Sequence, residues 1–157
     1  MTIEPDSTVV VFFIHGGRRR IDEKVAPLEN APASDDEIRH ILDLAAAVDW
    51  RTANHNVYVI ELKTTVFSER RFLERNLGYI PGTKRCVYVG MTGLTPEERF
   101  KNHLAGIKAN SYVTRYGVRL CPELYSALNP MPHDLAKVME CWLAQYLQAQ
   151  GYGVWQN

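Results

Sequence analysis

The sequence predicts an α+β fold. Three stretches have the β-branched and aromatic make-up of strands: 7–14 (STVVVFFI), 56–62 (NVYVIEL) and 86–90 (CVYVG). Three helical patterns lie among and after them, near 34–50, 95–107 and 133–149, each with an apolar stripe at helical spacing. A chain of 157 residues suits one compact domain that buries roughly 70% of its unfolded surface.

The first strand, Ser7 to Ile14, is followed by His15-Gly16-Gly17 and Arg18-Arg19-Arg20. An H-G-G after a strand is also the form of an esterase oxyanion loop. The chain has no G-x-S-x-G nucleophile elbow, so a glycine turn is expected instead. The three arginines are either a loop-tip charge cluster or a nucleic-acid contact. Ile21 to Ala33, with Pro27 and Pro32, reads as an irregular connection. Ser34 then caps a helix with Asp35, Asp36 and Glu37 in its first turn, where the helix dipole favours acids.

Asn56 to Leu62 is the second strand. Phe67 to Leu77 reads as a short helix or an arm, broken by Gly78, Pro81 and Gly82. Cys86 to Gly90 is the third strand, with a turn from Met91 to Leu94. Thr95 is a good N-cap, Pro96 fits the first helical position, and Glu98 completes a T-x-x-E capping box. Arg99 and His103 are four apart and project from one face of that helix. Asn110 to Leu120 mixes tyrosines with arginines. It is either a surface that stacks bases and neutralises phosphates or a packed loop whose arginine stems cover apolar atoms. Pro122 to Ala127 reads as a short helix. His133 to Ala149 is a full amphipathic helix with Glu140 at the edge of its stripe, closed by Gly151 and Gly153.

Hydrophobic content of 46% and charge of 23% are those of a soluble globular protein. No apolar run approaches a membrane span, and MTIEPDST lacks the basic region of a secretory signal. Cys86, Cys121 and Cys141 form neither a C-x-x-C pair nor a zinc pattern, so reduced thiols in a cytoplasmic protein are expected. Net charge is zero but uneven: −5 over residues 1–50, 0 over 51–62, +7 over 63–119 and −2 over 120–157. The positive block is either a footprint for a phosphate backbone or a solvated basic face.

Tyr58, Tyr88, Arg99, His103, Glu140 and Asn157 are the polar residues that could converge on one site. Phosphodiester hydrolysis needs an activated water, charge relief on the phosphoryl oxygens and a stabilised leaving oxygen. A lone carboxylate with waters and a substrate phosphate is a typical way to hold Mg²⁺. Arg99 could clamp phosphate bidentately. A phenol beside a cation could be depressed from its usual pKa near 10, and His103 titrates near neutrality. Each group also has an ordinary role: strand tyrosines as core, Arg99 and His103 as a surface pair, Glu140 as a solvated edge.

Asn56-Val57-Tyr58 followed by Tyr88-Val89-Gly90 resembles the paired motif of the GIY-YIG nuclease superfamily, over roughly residues 55–157. The R-x-x-x-H spacing of Arg99 and His103 resembles the restriction and homing-endonuclease members. The resemblance implies a small, mostly antiparallel three-stranded sheet flanked by helices; residues 1–54 lie outside the resemblance and read as a strand, loop and helix extension packed on that core. It implies a DNA endonuclease, with RNA also compatible, that uses Mg²⁺ or Mn²⁺ on Glu140. Tyr58 would accept the water's proton, Tyr88 and His103 would orient or relay, and Arg99 would neutralise the phosphate. Gly90 would let backbone and substrate approach closely, and Asn157 would fix the geometry near the metal. Lys84, Arg85, Lys101, Lys108, Arg115 and Arg119 would hold the nucleic acid, and a homodimer would suit double-strand cutting. The chain departs from the motif at Asn56, where the family has glycine, at Val57 and Val89, and in the long interval between the tyrosines. Asn56 tolerates left-handed backbone angles, which would accommodate the loss of glycine. The rival readings are a catalytically silent nucleic-acid-binding module and a protein-interaction module on the same fold.

Overall fold

The computed structural model describes residues 11–15, 18–22 and 35–157. An antiparallel ribbon of β1 (Val11–His15) and β2 (Arg18–Asp22) comes first, then helix α1 (Asp35–Ala47). Arg18, Arg19 and Arg20 therefore belong to a paired strand and not to a loop tip. Of the N-terminal expectations, Ser7 to Val10, Gly16-Gly17, residues 23–33 and the Ser34 cap lie outside the described residues. Beyond α1 the order is β3 (Asn56–Leu62), α2 (Arg70–Arg75), β4 (Cys86–Thr92), α3 (Pro96–Leu104), α4 (Ser111–Tyr116), β5 (Gly117–Leu120), α5 (His133–Ala149) and β6 (Gly153–Gln156).

The main sheet has strand order β5-β3-β4-β6. β3 and β4 are antiparallel and in continuous register from Asn56 opposite Thr92 to Leu62 opposite Cys86. β5 adds antiparallel to β3, and β6 adds parallel to β4. The fold is thus α+β as expected, but the sheet is mixed and four-stranded where three antiparallel strands were expected. β5 emerges from the stretch read as a basic loop, and β6 from the chain after the last helix. Val57 to Ile60 and Cys86 to Gly90 are buried without a break. That pattern marks strands covered on both faces. Helix α5 lies on β3, β4 and β6, and α3 on β3 and β5, while Ile41 and Ala45 of α1 join the core alongside α5. Among the described residues no helix is long and apolar enough to cross a membrane.

Side chains complete the sheet where strands are too short. β5 reaches only the C-terminal half of β3, so the Asn129 amide takes both backbone groups of Val57, at 2.8 Å from its N–H and 2.7 Å from its C=O. Asn76 does the same for β6. It accepts from the Val154 N–H (2.8 Å) and donates to the Val154 C=O (3.0 Å) and the Phe72 C=O (2.8 Å). The cap that orients α3 is formed as expected: Thr95 Oγ1 accepts from the Glu98 N–H and Glu98 accepts from the Thr95 N–H, both at 3.2 Å.

Asn76 is buried, so removing it strands a backbone donor and an acceptor away from water. Asn76→Ala is expected to cost about 2–4 kcal/mol in urea unfolding. Its effect on amide exchange should concentrate in β6 and not in the β3–β4 pair.

Candidate functional site

Tyr58 enters from β3, Tyr88 from β4, and His103 from the last turn of α3. The three rings form one cluster, with centroid separations of 6.1 Å (Tyr58–Tyr88), 6.0 Å (Tyr58–His103) and 5.7 Å (Tyr88–His103). The Tyr58 hydroxyl lies 2.8 Å from His103 Nε2, and the Asn110 N–H lies 3.1 Å from His103 Nδ1. A backbone N–H can only donate, so Nδ1 is the acceptor and the ring proton sits on Nε2. His103 therefore donates to the Tyr58 oxygen, and the Tyr58 O–H proton points elsewhere.

Burial governs the protonation of this cluster. His103 is 0% exposed, Tyr58 1% and Tyr88 3%. Burial, and then the charge of Arg99, lowers His103 to about 4. It is neutral at pH 7, and not poised near neutrality as expected. Burial raises Tyr58, with Arg99 as the strongest opposing influence. The expected depression of this phenol is absent because desolvation outweighs the cation. Tyr88 is raised further still, by burial and then by Tyr58.

Gly90 stands opposite Tyr58 in the β3–β4 register. A Cβ there would sit 2.6 Å from both Tyr58 Cζ and its hydroxyl oxygen, and 2.9 Å from Tyr88 Cε1. The glycine clears room for the two phenols, where close approach of substrate was expected. Asn56 lies in extended pairing opposite Thr92 and donates from Nδ2 to the Leu94 C=O at 3.0 Å. A left-handed backbone is not needed at this position.

Arg99 is half-buried, and its guanidinium donates to the carbonyls of Lys108 (2.9 Å) and Ile107 (3.4 Å). Lys108 adopts a φ of 45°, in the left-handed region that non-glycine residues rarely visit. Glu140, on α5, is half-buried and accepts one hydrogen bond, from Gln156 Nε2 at 3.2 Å. Burial raises its pKa, and the Gln156 bond opposes this. Its charge also acts on both phenols. Among the described residues neither Arg99 nor Glu140 has an ion-pair partner.

Asn157 bridges Asn110 Nδ2 (2.7 Å) and the Tyr88 hydroxyl (3.4 Å). The neighbour of Glu140 is Gln156, one residue before the asparagine expected there. Asn110 and Gln156 are the site residues that sequence reasoning missed. Asn110 had a local signal, since it caps the SYVTRY helix by accepting from the Tyr112 N–H at 2.9 Å. Gln156 had none.

The expected nucleic-acid residues divide. Arg85 pairs with Glu123 (3.1 Å) and Glu61 (4.0 Å), Arg119 with Glu61 (3.4 Å) and Glu123 (3.5 Å), and Arg115 with Glu69 (2.8 Å). These three arginines already have carboxylate partners. Lys84, Lys101 and Lys108 are exposed, with Lys84 above the Tyr152 ring at 5.4 Å. No group of three His, Cys, Asp or Glu able to hold a metal occurs among the described residues. Comparison with known proteins assigns no relative: no family model, curated protein or solved structure matches the chain.

Gly90→Ala is expected to destabilise by about 2–3 kcal/mol through overpacking. Adding Tyr58→Leu should recover part of that loss, a non-additivity that thermal unfolding of the double variant detects. His103 is held below its usual value of 6.5, so the unfolded chain binds the proton first as pH falls. The stability it contributes is whole above pH 6.5 and is lost as pH drops through about 4, on the order of 3 kcal/mol in all. Urea unfolding of wild type and His103→Asn at pH 7 and pH 4.5 should show the smaller loss in the variant.

Proposed function

We propose that this chain is a metal-assisted DNA phosphodiester hydrolase whose working groups are Arg99, Glu140, Tyr58 and Tyr88, with His103 in support. The observation that carries it is a charge imbalance. A half-buried carboxylate and a fixed guanidinium act on the same two phenols, and neither has a partner of opposite charge among the described residues. Taking part of a charge out of water is costly unless it is hydrogen-bonded or paired, so a counter-charge at each group is favoured. A phosphate would satisfy Arg99 and a divalent cation would satisfy Glu140.

A single carboxylate fits Mg²⁺ or Mn²⁺, which take their remaining ligands from water and substrate phosphate. Such a cation, when bound, would supply charge relief at a phosphoryl oxygen. Arg99 keeps donors free beyond its two carbonyl bonds and directs them at the phosphate. Neutral His103 fixes Tyr58 through its Nε2–H and does not accept a proton, since Nδ1 is occupied by the Asn110 N–H. Tyr58 takes the proton of the attacking water as a phenolate, having first lost its own proton to bulk solvent, since His103 cannot accept it. Tyr88, whose hydroxyl accepts from Asn157, orients the site. Three free cysteines suit a cytoplasmic setting. Cutting both strands of a duplex with one site per chain calls for two copies or two encounters.

The burial of Tyr58 and Tyr88 favours a second reading, in which both phenols are core and the basic surface binds DNA without cutting it. Plasmid nicking separates the two. With Mg²⁺ or Mn²⁺, Glu140→Gln is expected to lose more than about 10²-fold in rate, and Arg99→Ala about 10²–10³-fold. Because Tyr58 is raised, the wild-type rate should still be climbing between pH 7 and 9. Full activity in either variant overturns the site. Absence of metal-dependent nicking alongside retained DNA binding selects the silent module.

A further inference from the structure

Helix α2 carries three arginines, and their surroundings differ. Arg70 is neutralised by Glu74 at 2.8 Å. Across from α2, Arg115 is neutralised by Glu69 at 2.8 Å, and Glu69 also accepts from the Tyr116 hydroxyl at 2.7 Å. Arg71 and Arg75 have no carboxylate within ion-pair distance among the described residues. They are four apart and share a helix face. Both are exposed.

Arg75 is also held in place. Its guanidinium carbon lies over the Trp155 ring, 3.9 Å from the centroid, and the group donates to the Gln156 C=O at 2.6 Å. Trp155 in turn stacks on Tyr112 at 4.0 Å. A guanidinium fixed by one hydrogen bond and one aromatic face keeps most of its five donors for a ligand. Arg71, one turn from Arg75 on the same face of α2, also acts on this side: burial and Glu69 raise the Tyr112 phenol, while Arg71, Arg115 and Arg75 oppose them. Gln156 links this surface to the candidate site. Its carbonyl binds Arg75 and its side-chain amide binds Glu140.

We propose that Arg71 and Arg75 form a phosphate-binding step that carries one strand of duplex DNA over Trp155 and toward the Arg99–Glu140 site. The proposal presupposes the hydrolase function for the direction of the strand, but not for the contact itself. Arg70 and Arg115, close by in space and equal in charge, take no part because their own carboxylates already occupy them.

The test is binding of a duplex oligonucleotide by the full chain carrying Glu140→Gln, measured by fluorescence anisotropy from 50 to 200 mM salt. Each phosphate contact contributes about 0.9 to the slope of log K against log salt. Arg71→Ala should lower the slope by about 0.9, and Arg71→Ala with Arg75→Gln by about 1.8. Arg75→Lys should keep the slope, because it keeps the charge. Arg70→Ala and Arg115→Ala should leave it within error. Circular dichroism and tryptophan emission check that each variant is folded. An unchanged slope in Arg71→Ala, or equal losses in Arg70→Ala, overturns the proposal, as does binding that is absent or insensitive to salt. Failure of the hydrolase function shows separately, as nicking that Glu140→Gln does not reduce.

Discussion

The hydrogen bond from the Asn110 N–H to His103 Nδ1 sets the order of everything around the two phenols. A main-chain donor cannot change its role, so it selects one tautomer of a buried imidazole. The imidazole then has a single donor left, and that donor is aimed at Tyr58. Arg99, one turn earlier on α3, cannot drift either, since the capping box fixes where the helix begins and two carbonyls hold the guanidinium. A network this constrained is rigid and well satisfied. It is also insulated from water, which is why the same arrangement supplies both the orientation of Tyr58 and the high cost of ionising it.

Charge in this protein divides into closed accounts and open ones. Arg85 and Arg119 share Glu61 and Glu123, and Arg70 and Arg115 each have a glutamate. Glu69 and Glu74 are already counted in the net +7 of residues 63–119, while Glu61 and Glu123, from outside that segment, offset two further charges of it. Among the described charges outside such pairs are Arg99 and Glu140 beside the phenols, and Arg71 and Arg75 on the α2 face near Trp155. Function is best sought among these groups, because the described residues offer them no partner of opposite charge.

Strong local patterns were legible in the sequence. β3, the start of β4, the Thr95–Glu98 cap and the extent of α5 were read correctly, because β-branched runs, a capping box and a helical stripe act within a few residues. Met91 and Thr92, by contrast, were expected in a turn and continue β4. β5 was not, since only four residues of a polar stretch pair with β3 and their pairing is set by β3 itself. β6 was missed for a similar reason: a short strand held by the Asn76 side chain leaves no periodic trace. At the site, the identities of Tyr58, Tyr88, Arg99, His103 and Glu140 were legible as residue types in order, but their protonation was not. Desolvation depends on what packs over a group, and no spacing in the chain reports that. Pairing of Arg85 and Arg119 with Glu61 was equally invisible, because it joins β3, β5 and the residue just before β4, far apart in the chain.

The empty position at Gly90 reaches beyond steric relief. Only one alignment of β4 on β3 presents a residue without a side chain to the Tyr58 ring. Sliding β4 by a single residue would set Val89 or Met91 there and turn Tyr88 to the opposite face. The glycine thus works as a register check on the central strand pair, and the sheet can close fully only in the alignment that also assembles the site.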